Sequence, residues 1–188
     1  IDQRVNRDLV RQYAKGRKVL NTFCYTGGFS VAALAGGAKE VVSIVLSERA
    51  VKLAEENAII NFGSEAPHKA IACNAVEYLK DIDSDYDLII LDPPAFAKHH
   101  KVLGNALQGY KKINARALEK IAPGGILFTF SCSQAVSRDL FRTTIFTAAA
   151  IARRKVRIIG QLTQPADHPI NIYHPEGEYL KGLVVYVE

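Results

Sequence analysis

The chain has 188 residues, 48% of them hydrophobic and 23% charged, a globular composition that suits one domain with a sizeable core. No apolar run approaches the length of a membrane span and no signal-peptide pattern opens the chain, so a membrane partner is excluded. The formal charge of +5 permits a polyanionic partner without requiring one, and Cys24, Cys73 and Cys132, with no CxxC or HxxxH spacing, argue against a disulfide scaffold or a metal site and for a reducing cytoplasm.

The sequence contains no Met and opens inside a helical pattern, "IDQRVNRDLVRQYAKG", which predicts that an upstream region precedes it. Residues 1–188 are expected to form one catalytic domain. "KVLNTF" (18–23) reads as a strand, followed by a Gly turn and a helix closed by Gly36 and Gly37. "EVVSIVL" (40–46) is the second strand. A helix follows, with Ser47 at its N-cap and Gly63 past its end. "HKAIAC" (68–73) is the third strand, with a short helix after it. "YDLIILD" (86–92) is the fourth and is nearly all apolar, as expected of a strand covered on both faces. A helix spans about 107–121, "GGILFTFS" (124–131) is the fifth strand, and 134–152 is helical. "KVRIIGQL" and "YLKGLVVYVE" complete a seven-stranded set. Alternating strands and helices predict a doubly wound, Rossmann-like α/β sheet. The last strand has no helix before it and can enter antiparallel. Residues 93–106 and 163–178 are two long loops of the kind that carry function.

Ligands of such sheets bind beyond the carboxyl ends of the strands, where strand order reverses. The residues there are the candidates. Thr26, Gly27 and Gly28 precede a helix, where backbone can approach a ligand and the helix N-terminus attracts a carboxylate or phosphate. The pattern is not GxGxxG, which disfavours a nicotinamide dehydrogenase. Asp92 leaves the most apolar strand and meets Pro93 and Pro94, which remove two backbone donors and stiffen the turn. Cys132 ends the fifth strand between Ser131 and Ser133. It reads either as a small core residue at an edge or as a nucleophile held over a cleft. Tyr25 and Phe96 are candidates for stacking on a base. Lys98, His99, His100 and Lys101 lie where a substrate would enter. "RRKVR" (153–157) reads equally as a phosphate grip or as ordinary cations at a helix C-terminus.

"FCYTGGFS", "LDPPAFAK", "PGGILFTFSCS", "DHP" and "EGEYLKG", with the opening "DQRVNR", together resemble the S-adenosylmethionine-dependent RNA methyltransferases that make 5-methylcytosine in large-subunit ribosomal RNA. The match runs in order over essentially the whole chain. The resemblance implies S-adenosylmethionine as cofactor and RNA, specifically 23S rRNA, as partner. It leaves room for a homodimer, and it implies an N-terminal PUA-type RNA-binding region outside this stretch. It assigns catalysis to Cys132 and Asp92. It assigns cofactor binding to Phe23, Tyr25, Thr26, Gly27, Gly28, Phe29, Val45, Leu46, Asn74, Ala75, Asp92 and Pro93. It assigns substrate contacts to Pro94, Phe96, Lys98 and Arg4. The chemistry is a thiolate addition to carbon 6 of cytosine that makes carbon 5 nucleophilic, with Asp92 serving the N3 and amino edge. No residue is assigned to removal of the carbon 5 proton.

Two positions depart from the pattern. Val45 stands where the family has an acid that grips the ribose hydroxyls, and Asn74 where it has an Asp for the adenine amino group. Loss of a charged acceptor costs on the order of 1.5–3 kcal/mol. Glu48, three residues on, reads as a first-turn helix residue. Two other functions therefore stay open: methylation of a ring nitrogen, which needs no thiol, and a degenerate cofactor domain that binds RNA or assembles with partners.

Overall fold

A computed structural model describes residues 2–96 and 103–188. Seven strands form one sheet in the order β3-β2-β1-β4-β5-β7-β6. They are β1 (Lys18–Thr22), β2 (Glu40–Val45), β3 (His68–Ala72), β4 (Leu88–Leu91), β5 (Ile126–Ser131), β6 (Val156–Leu162) and β7 (Lys181–Val187). The first five strands run parallel, and β7 slots antiparallel between β5 and β6. The expected doubly wound sheet with an antiparallel last strand is the one observed.

Six α-helices among the described residues cover the sheet: α1 (Arg4–Tyr13), α2 (Gly28–Ala35), α3 (Glu48–Phe62), α4 (Ala75–Tyr78), α5 (Leu103–Lys120) and α6 (Arg138–Ile151). Two cores lie on opposite faces. Val10, Phe29 and Ala33 pack with Val19, Leu88, Ile90 and Phe128 on one face. Tyr110, Ile113, Phe141 and Ile145 pack with Leu20, Ile89, Leu91 and Leu127 on the other. Consecutive residues of β4 thus serve alternate cores, and an unbroken apolar run is what a strand covered twice requires.

The local signals behave as their chemistry dictates. Ser47 Oγ accepts from Ala50 N and caps α3, and Gly63 ends that helix at φ 84°. Helix α6 begins at Arg138 rather than near 134, because Ser137 Oγ takes the Leu140 N–H and residues before it form a turn closed by Val136 N–H to Ser133 O. Helix α5 starts at Leu103, earlier than its periodicity suggests. Gly182 is required in β7, since a Cβ there would collide with the Phe130 ring across the sheet. No described helix is long and apolar enough to cross a membrane.

Strand order reverses between β1 and β4. The carboxyl ends of β1, β2, β4 and β5 therefore open onto one crevice.

Candidate active site

A cleft of about 540 Å³ lies along this edge, within the roughly 300–1,000 Å³ usual for small-ligand sites. Cys132, Asp92, Pro93 and Pro94 line it, together with Phe23, Tyr25, Val45, Leu46, Asn74 and Ala75. A sulfur and a carboxylate that lie 40 residues apart in sequence meet here because β4 and β5 are parallel neighbours with Leu91 opposite Thr129. Cys73, from the end of β3, and Asp2, Gln3 and Leu180 also reach the cleft.

The turn after β1 is unusual backbone. Phe23 (φ 57°), Tyr25 (φ 49°) and Gly27 (φ 79°) are all left-handed, two of them without being glycine. Such residues persist only where their surroundings hold them. Cys24 N–H donates to Ile44 O, Gly27 N–H to Cys24 O, and Asn57 Nδ2 to Thr26 O. Gly27 also packs so closely on α3 that a Cβ would lie 3.1 Å from that of Ala54. The turn delivers Tyr25 to the rim, 74% exposed, and starts α2 with no side chain capping its first-turn N–H groups. Thr26, Gly28 and Phe29 line an adjoining cavity with Arg7 and Asn57. The Phe29 ring itself is buried, 5.6 Å from the ring of Phe130.

Asp92 accepts a 3.0 Å hydrogen bond from Gln3 Nε2, and Gln3 in turn accepts from Asn6 Nδ2 at 2.6 Å. Burial pushes the Asp92 carboxyl up to about 6, against the Gln3 bond, which favours the anion. The nearby Asp2 adds to the upward shift.

Cys132 is half-buried, with Sγ 3.8 Å from Pro93 O. Its two serine neighbours are fully buried and structural. Ser131 Oγ accepts from Ser133 N, and Ser133 Oγ shares a 2.9 Å hydrogen bond with Tyr110 OH. Lys181, buried in β7 opposite Ser131, donates 2.7 Å bonds to the carbonyl oxygens of Ser133 and Val136. This clasp fixes the turn that carries the thiol. Burial and the neighbouring Asp92 charge push the thiol up. Burial lowers Lys181 to about 8.

Other expected site residues fall elsewhere. Phe96 is half-buried, its ring 4.7 Å from that of Tyr110. Arg4 is 61% exposed and pairs with Asp167 at 2.7 Å, tying α1 to the 163–178 loop. Lys98 lies outside the described residues, as do His99, His100 and Lys101. Arg154 donates to Leu118 O and Ile121 O, and Arg157 pairs with Glu188, so these cations sit at the amino ends of the strands, away from the cleft. Cys24 is buried and pushed up to about 11 by that burial. Among the described residues no group of three His, Cys, Asp or Glu could hold a metal.

Sequence reasoning gave no role to Gln3, Asp2, Lys181 or Tyr179. All four lie in "DQR" and "EGEYLKG", stretches with no intrinsic chemical signature, and only their tertiary contacts reveal them.

A parallel sheet reversing at β1, a glycine turn leading into α2 and an acid after β4 define an α/β enzyme whose ligand lies across the strand ends. The chain belongs to the S-adenosylmethionine-dependent methyltransferase family, whose sequence pattern matches residues 1–174. It is 46% identical to ribosomal RNA large subunit methyltransferase I of Tolumonas auensis over 98% of this chain and 47% of that protein. It is 44% identical to the protein of the same name from Aeromonas hydrophila, again over 98% and 47%. The crystal structure of SMU.776 complexed with SAH superposes with a TM-score of 0.85 at 28% identity, covering 99% of this chain and 49% of that one. The chain thus spans about half the length of the curated relatives it matches.

The cleft fits the family's cofactor at two of its three parts. The uncapped N-terminus of α2 offers N–H groups to a carboxylate. Leu46, 74% exposed, and Ala75 offer an apolar slot to a flat ring beside Asn74. The Asn74 Oδ1 caps Val76 N–H at 2.9 Å and keeps its amide at the slot. The ribose edge is the poor part: Val45 packs toward Cys24, Ala54 and Ala70 and offers no acceptor.

Proposed function

We propose that this chain is the catalytic part of a ribosomal RNA large-subunit methyltransferase that acts in the cytoplasm on carbon 5 of a cytosine in 23S rRNA. The observation that carries the reading is the placement of Cys132 and Asp92 on one cleft with the α2 turn. The names of the relatives support the substrate class.

When bound, S-adenosylmethionine supplies an electrophilic methyl group. The chain's own residues do the rest. Tyr25, 74% exposed at the rim, is available to stack on an extruded base. Cys132 gives its proton to the Asp92 carboxylate and adds to carbon 6 as a thiolate, and Asp92 passes that proton on to N3, which leaves carbon 5 enamine-like and nucleophilic. The carboxyl is suited to this because burial already favours its protonated form up to about pH 6. Once protonated, it no longer contributes the negative charge that holds the neighbouring thiol neutral. The Lys181 clasp keeps the sulfur over the cleft and adds a nearby positive charge.

A ring-nitrogen acceptor would need no thiol, and a binding module would need no chemistry. Incubating the full-length protein with labelled cofactor and 23S rRNA, followed by mass spectrometry of the nucleosides, separates the three. We expect 5-methylcytidine, absent with Cys132→Ala. An N-methylated base, or product that survives Cys132→Ala, would overturn the reading, and no methylation at all would favour the binding module.

A further inference from the structure

The reaction above lacks one residue, the base that removes the carbon 5 proton after methylation. Asp2 lines the same cleft as Cys132 and Asp92. Its neighbour Gln3 is bonded to Asp92, which brings the two acids to the same part of the cleft. Tyr179 OH donates to Asp2 Oδ2 at 2.9 Å and lies 3.0 Å from His168 Nε2. A phenol has one proton. With that proton on the bond to Asp2, the imidazole must donate its Nε2–H to the phenol oxygen. Two groups from the connection between β6 and β7 and one from the stretch before α1 thus form a polarised chain, His168 to Tyr179 to Asp2, that ends at a carboxylate on the cleft. Burial and the bond to Asp2 push Tyr179 up to about 12, so the phenol keeps its proton and remains the donor.

We propose that Asp2 is the catalytic base that takes the carbon 5 proton, and that Tyr179 and His168 position its carboxylate. The assignment rests on the cytosine-5 reading. In the methylated adduct, carbon 5 bears hydrogen and methyl, carbon 6 is bonded to Cys132 Sγ, and N3 carries the proton from Asp92. The carbon 5 proton passes to the Asp2 carboxylate. Its electron pair forms the 5,6 double bond as the carbon 6–sulfur bond breaks, and the sulfur leaves as thiolate. The N3 proton returns to Asp92. That return occupies Asp92, whose Oδ1 is already held by Gln3, and leaves the carbon 5 proton to a second carboxylate.

The test uses the full-length protein, S-adenosylmethionine and 23S rRNA transcribed with either cytidine or 5-fluorocytidine. Fluorine cannot be removed as a cation, so the fluorinated RNA needs no base to give a stable covalent adduct. Asp2→Asn is expected to form the fluorinated adduct at a rate within about 3-fold of the native protein. On ordinary RNA it should accumulate a methylated, denaturant-stable adduct while turnover falls roughly 10²- to 10⁴-fold. Tyr179→Phe should prolong the same adduct about 10-fold without slowing its formation. Clearance of the cytidine adduct by Asp2→Asn at the native rate would overturn the assignment and leave the cytosine-5 reaction standing. Failure of Asp2→Asn to form the fluorinated adduct would place the residue at an earlier step and overturn it too. No fluorinated adduct from the native protein would overturn the reaction and the assignment together.

Discussion

Lys181 Nζ donates a 2.7 Å hydrogen bond to Ser133 O, joining the first residue of β7 to the turn that carries the thiol. The same ammonium bonds Val136 O, so one buried side chain spans the connection from β5 to α6. Among the described residues no carboxylate forms an ion pair with it; its proton acceptors are carbonyl oxygens. Lys181→Met leaves two buried carbonyls without this donor and is expected to destabilise the fold by about 1–3 kcal/mol. It also removes a positive charge near Cys132, so the thiol should titrate still higher. The pH dependence of iodoacetamide labelling at Cys132 reads this directly. A labelling curve unmoved by the substitution would limit Lys181 to a structural clasp.

Asp92 carries a stability cost at neutral pH whose sign follows from its burial. The carboxyl is raised from 3.8 to about 6 in the folded chain, so between those values the folded state holds the proton more tightly than the unfolded state. Stability therefore falls as pH rises from about 4 to about 6, and the cost is fully present above that window. Asp92→Asn keeps an acceptor for Gln3 and removes the charge. It is expected to be more stable than the native chain at pH 7–8, by at most about 3 kcal/mol, with the difference gone near pH 4. Urea unfolding across this range measures it. Methylation should fall roughly 10²- to 10⁴-fold in the same variant, since an amide has no acid proton to give.

Val45 is the residue where cofactor affinity can be gained. It ends β2 at the cleft, and we propose that it stands where an acid would grip the ribose of the cofactor. Val45→Asp should tighten S-adenosylmethionine binding roughly 10- to 100-fold, read by titration calorimetry. The substitution removes apolar packing against the patch of Cys24, Ala54 and Ala70, so a modest loss of stability is expected with it. Affinity unchanged or weakened by Val45→Asp would mean that the ribose lies elsewhere.

The strands, their alternation with helices and the antiparallel seventh strand were legible because each rests on local signals. The apolar run of β4, the Ser47 cap and the Gly63 stop specify their elements without outside help. The start of α6 was not legible, since residues 134–136 have helical character but are held in a turn by the Val136 N–H bond to Ser133 O and by Lys181, which comes from distant sequence. The site divides the same way. Cys132 and Asp92 stood out because each ends an apolar strand. Asp2, Gln3, Tyr179 and Lys181 did not, because α1 and the stretch before β7 fold across the strand ends and no periodicity encodes that packing. Phe96, expected to stack on a base, stacks on Tyr110, an aromatic partner that its own loop does not announce.

Two thiols line the cleft, Cys132 just after β5 and Cys73 just after β3, and only β5 is a neighbour of β4, the strand that leads to Asp92. The most direct test of the account is therefore to trap the full-length protein on 5-fluorocytidine-substituted 23S rRNA with cofactor present, digest the adduct, and locate the modified cysteine by mass spectrometry. The modified base is expected on Cys132, with complete loss of adduct in Cys132→Ser. A base attached to Cys73, or an adduct that persists in Cys132→Ser, would contradict it.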